Sequence, residues 1–219
     1  MENKTERNLS ALRRGLRSIS DMFLSPSRHE LRRQVLKGEA DVSQPLNVIL
    51  GAGPVAMPGW LPTDADILDV RSLDHWEGLF HTGSIDRLMA EHLFEHLTHE
   101  ECATAFRLCF QFLKSGGLLR LAVPDGHRKD AAYVVEVTPP KDGHRVLFTV
   151  EDLSQCLAQT GFVVTPLEYF DADEQFHCAQ WDETDGLIRR SARYDKQEQF
   201  RRGLLYYTSL IVDARKPKT

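Results

Sequence analysis

From residue 46 onward, short apolar runs of strand length alternate with segments of helical periodicity. The first run, LNVIL at 46–50, stops at the glycine turn Gly51-Ala52-Gly53-Pro54, which is typical of a buried strand that ends at a loop. Further strands are predicted at 65–70, 84–90, 118–123, 162–170 and 206–214, and helices at 100–113 and 150–160. This alternation predicts an α/β fold built on a doubly wound sheet.

Glycine and proline mark the ends of several of these elements. Ser115-Gly116-Gly117 is predicted to end the helix at 100–113, and Gly161 to cap the helix at 150–160. Two stretches, 125–146 and 171–203, show no periodicity. The length of the first suggests a functional loop rather than a simple connection.

Residues 1–45 differ from the rest in charge, with nine Lys and Arg against six Asp and Glu, whereas residues 46–219 carry 18 against 26. Apolar residues recur every three or four positions over 9–23, which predicts an amphipathic helix, and a second helix is predicted over 28–37, with Gly38 as its end. We therefore divide the chain into a basic helical extension, 1–45, and a main domain, 46–219. The extension is interpreted as a cap on that domain; the alternative is peripheral contact of 9–23 with an anionic membrane.

Composition limits the classes of function. The 219 residues, 42% hydrophobic and 27% charged, are ordinary for one globular domain with an appendage, and the net charge of −5 argues against a nucleic-acid partner. No apolar run is long enough for an integral membrane segment, and residues 1–7 lack the apolar core of a secretion signal, so a cytoplasmic location is expected. Reduced cysteines fit that compartment, with Cys102 and Cys109 as buried thiols on one helix face.

The glycine turn is the first candidate for ligand binding. Ligands of open α/β sheets bind beyond the carboxyl ends of the strands, and two glycines let the backbone approach a ligand closely. The turn lacks the third glycine and the lysine of phosphate-binding loops, which argues against nucleoside triphosphates and dinucleotides. Asp64 follows at a distance that suits the end of a second strand, where a carboxylate can bind both ribose hydroxyls; alternatively it is a turn residue of PTDAD.

The order of four segments, LNVILGAGPVAMPGW, TDADILDV, SIDRLMAEHLFEHLTHEE and FLKSGGLLRLAVPD, resembles the class I S-adenosylmethionine-dependent methyltransferases. It is most similar to a bacterial group usually described only as predicted methyltransferases, and the tail YYTSLIVDARK is similar to the last strand of that group. The resemblance covers 46–216. It implies a Rossmann-like, seven-stranded sheet that is mostly parallel with an antiparallel last strand, here preceded by N-terminal helices, and S-adenosyl-L-methionine as the cofactor.

The resemblance also implies roles for individual residues. The cofactor-binding set comprises Gly51, Ala52 and Gly53 against the methionine part, Asp64 at the ribose, Asp69 and Val70 at the adenine, and His92 at the mouth of the site. There are departures from the family pattern. Ala52 stands where the group has cysteine and Ser115 where it often has proline, while Ile49 stands where many class I enzymes carry an acid.

Methyl transfer to a hydroxyl or an acid needs a base, and histidine suits this role near neutral pH. His92 is the first candidate, followed by His127 and His144 from the 125–146 loop, with Tyr133 as a positioning group; a solvated, non-functional role is the alternative for each of the three loop residues. The acceptor is expected to be a small molecule or a glycan precursor, because relatives of the group accompany genes of sugar transfer. The oligomeric state stays open.

Four residues of the family-like tail, Arg189, Arg190, Tyr206 and Tyr207, are candidates for the acceptor pocket. The two arginines can hold an anionic acceptor through paired hydrogen bonds. Alternatively, they are surface charges that pair with Asp182, Glu183 and Asp185.

The spacing H-x-x-E-H of His92, Glu95 and His96 is that of an inverted zinc-peptidase motif. That motif needs a helix on both sides and a third ligand downstream, for which Glu168 and Glu174 are weak candidates. Here it begins where a strand ends, so we predict no metal. His96 and His99 are assigned to a helix start that Thr98 and Glu101 cap. Two alternatives to the methyltransferase remain: a methyltransferase fold that binds without catalysing and, less favoured, a zinc hydrolase that uses His92, Glu95 and His96.

Overall fold

The computed structural model describes residues 33–34, 36–41, 45–194 and 209–218. Seven strands form one mixed sheet: β1 Asn47–Leu50, β2 Leu61–Pro62, β3 Ile85–Glu91, β4 Leu113–Val123, β5 Val163–Phe170, β6 Phe176–Cys178 and β7 Leu210–Arg215. The α-helices after residue 45 are α1 Leu73–Glu77, α2 His99–Phe112, α3 Ala131–Val137 and α4 Val150–Thr160. Short 3-10 turns lie at Phe94–His96, Lys141–Gly143 and Glu183–Asp185.

The strand order is β2-β1-β3-β4-β7-β5-β6. The pairs β1–β2, β1–β3 and β3–β4 are parallel, whereas β7 lies antiparallel between β4 and β5, and β6 forms a hairpin with β5. The predicted antiparallel last strand is therefore confirmed. The carboxyl ends of β1 to β4 meet at one edge of the sheet, which is where ligands of such sheets bind.

The sheet separates two cores because side chains of a strand alternate between its faces. Val48 and Leu50 of β1 enter the larger core with residues of α1, α2 and α4, while Ile49 enters the smaller core. The smaller core is closed by Trp181 and Ile188 from an irregular segment. Within the described ranges no α-helix covers this second face. The predicted doubly wound sheet would have helices on both faces, and here they lie on one.

Side-chain caps explain why the two longest helices begin where they do. At α2, the Thr98 hydroxyl accepts from the Glu101 N–H at 3.2 Å, and the Glu101 carboxylate accepts from the Thr98 N–H at 2.8 Å. This is the predicted capping box. Helix α4 ends at Gly161, whose φ of 108° is left-handed, as the sequence predicted.

One predicted strand and one predicted helix end are wrong. Residues 65–70 are not a strand, because the carbonyl of Asp64 accepts from the N–H groups of Ile67 and Leu68 and closes a turn; the strand β2 lies just before it. Ser115-Gly116-Gly117 does not end α2, which stops at Phe112. The three residues lie inside β4, at the point where the register with β3 shifts.

Two further stretches are more helical than predicted. Residues 33–34 and 36–41 are helical, so the helix continues past Gly38, because Leu36 and Ala40 are buried in the larger core. The 125–146 loop contains α3 and a 3-10 turn. The predicted helix over 9–23 lies outside the described residues, as do Tyr206 and Tyr207. No helix in the described ranges is both long and apolar enough to cross a membrane.

A buried cation holds the irregular segment 181–194 against the second face. The Arg120 side chain of β4 is 1% exposed, and its Nε and Nη2 donate to the carboxylate of Asp213 at 2.7 and 2.8 Å. Its Nη1 donates to the carbonyls of Asp182 and Gly186 at 2.6 and 2.7 Å. The guanidinium thus donates four hydrogen bonds inside the protein, and such bonding is what makes a buried cation tolerable.

Candidate functional site

A cavity of about 700 Å³ opens beyond the carboxyl ends of β1 and β3. One wall is the glycine turn together with Ile49 and Val55, and a second is Glu91 and His92 at the end of β3. The third wall comes from the irregular segment, through Leu187, Arg189, Arg190 and Tyr194. The volume lies in the range of small-molecule sites.

The glycine turn has a backbone that requires glycine. Gly51 and Gly53 have φ of 61° and 51°, in the left-handed region that other residues rarely adopt. A Cβ on Gly51 would also lie 3.0 Å from the Leu93 side chain. Between them, the Ala52 N–H donates to the Thr63 carbonyl at 2.8 Å, which ties the turn to the residue after β2. The turn therefore has a fixed conformation, and its two glycines present backbone without side chains to the cavity.

Asp64 lies against this turn. One carboxylate oxygen accepts from the Gly53 N–H at 3.0 Å and the other from the Ala65 N–H at 2.8 Å. The residue is partly exposed but is not among those that line the cavity. The structure thus bonds the predicted ribose acid to the turn that lines the cavity.

Asp69 and Val70, the residues assigned to the adenine, are not brought to the cavity. Both oxygens of Asp69 accept from the guanidinium of Arg71, at 2.9 and 2.8 Å, and these bonds lower the pKa of Asp69. Val70 is buried in the larger core, and its carbonyl accepts from the indole of Trp76.

His92 lines the cavity in a strained backbone conformation. Its φ is 56°, and its N–H donates to the Ala122 carbonyl at 2.8 Å, which holds the chain there. The imidazole lies between two partners, with Nδ1 2.8 Å from Glu95 Oε1 and Nε2 2.9 Å from Ser209 Oγ. The ring thus bridges a carboxylate, which can accept from Nδ1–H, and a hydroxyl, which can donate to Nε2.

The chain Glu95–His92–Ser209 has the connectivity of a nucleophilic triad, but its serine is not at the cavity. Ser209 is 1% exposed and lies at the start of β7. We therefore interpret the chain as a support that sets the tautomer and orientation of His92, as the acid of a triad does for its histidine.

The three loop candidates lie away from the cavity wall. His127 Nε2 is 2.7 Å from the carboxylate of Glu151 in α4. The Tyr133 hydroxyl accepts from a backbone N–H, that of Asp125, and burial raises the pKa of Tyr133. His144 is buried against the 3-10 turn Phe94–His96. Of the four predicted catalytic residues, the structure therefore places only His92 at the cavity.

Glu91 is a charged residue of the cavity wall that the sequence did not nominate; Leu187 and Tyr194 are further lining residues that it did not nominate. The Glu91 carboxylate accepts from the Arg190 N–H at 2.7 Å and lies 3.7 Å from Arg189 Nε. The Arg189 side chain remains 59% exposed. The signal available in the sequence was an acid directly after a predicted strand, at the edge where ligands bind.

The acids that were the alternative partners of Arg189 and Arg190 are engaged elsewhere. Asp185 pairs with Arg87 at 2.7 Å, and Glu183 pairs with Arg193 at 2.6 Å. The surface-pair alternative is thus not the arrangement seen in the described residues.

No family model and no curated protein matches the chain. Among solved structures, it is similar to a SAM-dependent methyltransferase from Archaeoglobus fulgidus, with 17% identity, a TM-score of 0.47, and coverage of 89% of this chain and 98% of the other. It is similar to an S-adenosylmethionine-dependent methyltransferase from Mesorhizobium loti, with 16% identity, a TM-score of 0.44, and coverage of 78% and 91%. A third is a phosphoethanolamine N-methyltransferase from Haemonchus contortus, with 14% identity, a TM-score of 0.44, and coverage of 79% and 49%. Similarity at this level assigns no activity to this chain.

Proposed function

We propose that this protein is an S-adenosylmethionine-dependent methyltransferase. The observation that carries the proposal is the contact between Asp64 and the Gly53 N–H at the carboxyl edge of the sheet. The glycine turn and His92 line one cavity and Asp64 is bonded to that turn, which supports the arrangement that the sequence resemblance implies. Gly51, Ala52 and Gly53 would hold the methionine part of the cofactor, and Asp64 the ribose hydroxyls.

The bound cofactor supplies an electrophilic methyl group on a sulfonium. The protein has to place an acceptor lone pair in line with that carbon, and this positioning supplies much of the rate gain. Transfer would leave S-adenosylhomocysteine as the second product. His92 would take the acceptor proton at Nε2, which would give up its hydrogen bond with Ser209.

The cavity favours an anionic acceptor. Arg189 and Arg190 both line it, and Glu91 is the one acid among the described lining residues, with one of its oxygens already bonded to a backbone N–H. A carboxylate or phosphate on the acceptor can bind the exposed Arg189 guanidinium through two hydrogen bonds. A sugar-type acceptor that carries such a group fits this wall.

Asp64→Ala tests the cofactor site. It is expected to weaken S-adenosylmethionine binding about 10- to 100-fold, because a hydrogen bond to a charged group is lost. The measurement is titration calorimetry on the full chain, with Asp66→Ala as the matched control, since Asp66 is an exposed acid two positions away. Equal affinities of the two variants and the unmodified protein would show that the ribose assignment is wrong.

Binding without transfer is the competing function, because Ile49 occupies a cavity position where many class I enzymes carry an acid. The two are separated by following S-adenosylhomocysteine formation with a panel of acidic sugars and small carboxylic acids. Tight cofactor binding with no product from any acceptor would favour the binding protein; product formation supports the enzyme.

A further inference from the structure

Three side chains with metal-binding atoms converge behind the His92 wall. Glu95 and His96 come from the 3-10 turn after β3, and His144 comes from the end of the loop that follows β4. One donor atom from each lies within 4.8 Å of the other two. Glu95 is 1% exposed and His144 7%, while His96 is the most accessible of the three.

The Glu95 carboxylate is half satisfied. Oε1 is bonded to His92, but Oε2 is buried and has no hydrogen-bond partner among the described residues. An unpaired buried carboxylate oxygen is costly, and such groups in native proteins are normally bonded or coordinated to a metal. We therefore expect a cation beside Oε2 of Glu95.

A hydrogen bond at one ring nitrogen of His144 leaves the other nitrogen able to bind a metal. The His144 Nδ1 is 2.9 Å from the Val137 carbonyl, which can only accept, so Nδ1 carries the proton. The Nε2 lone pair is then available on the other side of the ring. Histidines that bind metals commonly donate their second ring N–H to a carbonyl or carboxylate in this way.

The two segments that carry these side chains are fixed to each other by backbone hydrogen bonds. The Glu95 carbonyl accepts from the N–H groups of both Arg145 and Val146, at 2.7 and 3.2 Å. Only the side-chain torsions of His96 are left to adjust on the accessible side. Zinc binds nitrogen at about 2.0–2.1 Å in tetrahedral geometry, so its ligand atoms lie about 3.4 Å apart. The three donor atoms, each within 4.8 Å of the other two, would close to that spacing when the cation binds.

We propose that Glu95, His96 and His144 bind a divalent cation of the zinc class. Two imidazole nitrogens and one carboxylate oxygen form a three-ligand set that leaves a fourth position open for water. His92, which the H-x-x-E-H spacing nominates as a ligand, instead holds the other oxygen of Glu95. The proposed site is thus linked to His92 in the cavity wall through the Glu95 carboxylate. A bound cation would orient Glu95, which in turn supports His92.

The test is metal binding by the full chain in the absence of any cofactor. After treatment with a chelator, the protein is titrated with zinc in competition with a chromogenic chelator, and separately with cobalt, whose visible absorption bands report tetrahedral coordination. We expect one equivalent of each metal per chain, and no competition from magnesium. His96→Ala and His144→Ala are each expected to weaken zinc binding by about 100-fold or more, since each removes a direct ligand and loss of even a supporting partner costs 10- to 100-fold.

The matched control is His99→Ala, because His99 is an exposed histidine in the same segment whose ring packs on Phe148 instead. It should bind zinc like the unmodified protein. His96→Ala removes an accessible side chain, so its fold, checked by circular dichroism, is expected to be unchanged even if His144→Ala unfolds. No stoichiometric zinc binding, or equal binding by the His96 and His99 variants, would overturn the proposal. Because the assay contains no cofactor, its outcome is independent of the methyltransferase proposal.

Discussion

Replacing His92 with asparagine is expected to lower the turnover of methyl transfer by about 100- to 10,000-fold, the usual contribution of a general base. Asparagine is the informative substitution because it tolerates the left-handed backbone that His92 adopts, at φ 56°. The cofactor affinity should stay within a few-fold, since His92 acts on the acceptor. Turnover is measured as S-adenosylhomocysteine formation under saturating cofactor, and affinity by calorimetry.

His99→Asn serves as the control for this substitution and should keep full turnover. Addition of imidazole to the His92 variant should restore part of the activity, because a free base can enter the space that the side chain leaves. A variant that turns over normally, or one that loses cofactor binding and turnover together, contradicts the role of His92 as the base.

Arg120→Met is expected to lower the free energy of unfolding by about 3–5 kcal/mol. The methionine fills the space, but it leaves the Asp213 carboxylate and the carbonyls of Asp182 and Gly186 without their partner. Stabilities of single domains are typically about 5–15 kcal/mol, so this is a large fraction of the total. The measurement is reversible denaturation in urea, monitored by fluorescence and circular dichroism.

Arg107→Met is the matched control, because Arg107 is an exposed arginine on α2; its effect should stay within about 0.5 kcal/mol. The double variant Arg120→Met, Asp213→Asn should lose less than the sum of its single changes, since part of the cost is the carboxylate left unpaired. A loss below about 1 kcal/mol for Arg120→Met would show that the network does not hold the segment at 181–194.

The helices and strands that the sequence predicted correctly carry their signals locally. Helix α2 has a capping box at its start, and helix α4 has a glycine at its end. The strand at 65–70 was predicted wrongly because an apolar run of that length does not distinguish a strand from a buried turn. The backbone bonds to the Asp64 carbonyl decided between them.

The resemblance nominated Arg189 and Arg190 for the acceptor pocket, but nothing periodic marks 187–194, so the path of that segment along the cavity could not be predicted. Its position depends on the buried Arg120, which satisfies acceptors from a distant strand and from two loop carbonyls. Such pairings join residues far apart in the chain, and the sequence contains no spacing that encodes them. The same holds for His144, which meets Glu95 and His96 only through the docking of its loop.

The sequence by itself determined the α/β alternation, the glycine turn after the first strand, and the placement of His92 at a strand end. Each of these depends on residues that are neighbours along the chain: an apolar run, two glycines with left-handed backbone, a strand followed at once by a polar residue. Only the tertiary structure decided which side chains share a space. It placed Asp64 on the turn, moved Asp69 and Val70 away from the cavity, and bonded one oxygen of Glu95 to His92 while burying the other. Those outcomes follow from burial and hydrogen-bond satisfaction among distant segments, which act only once the chain has folded.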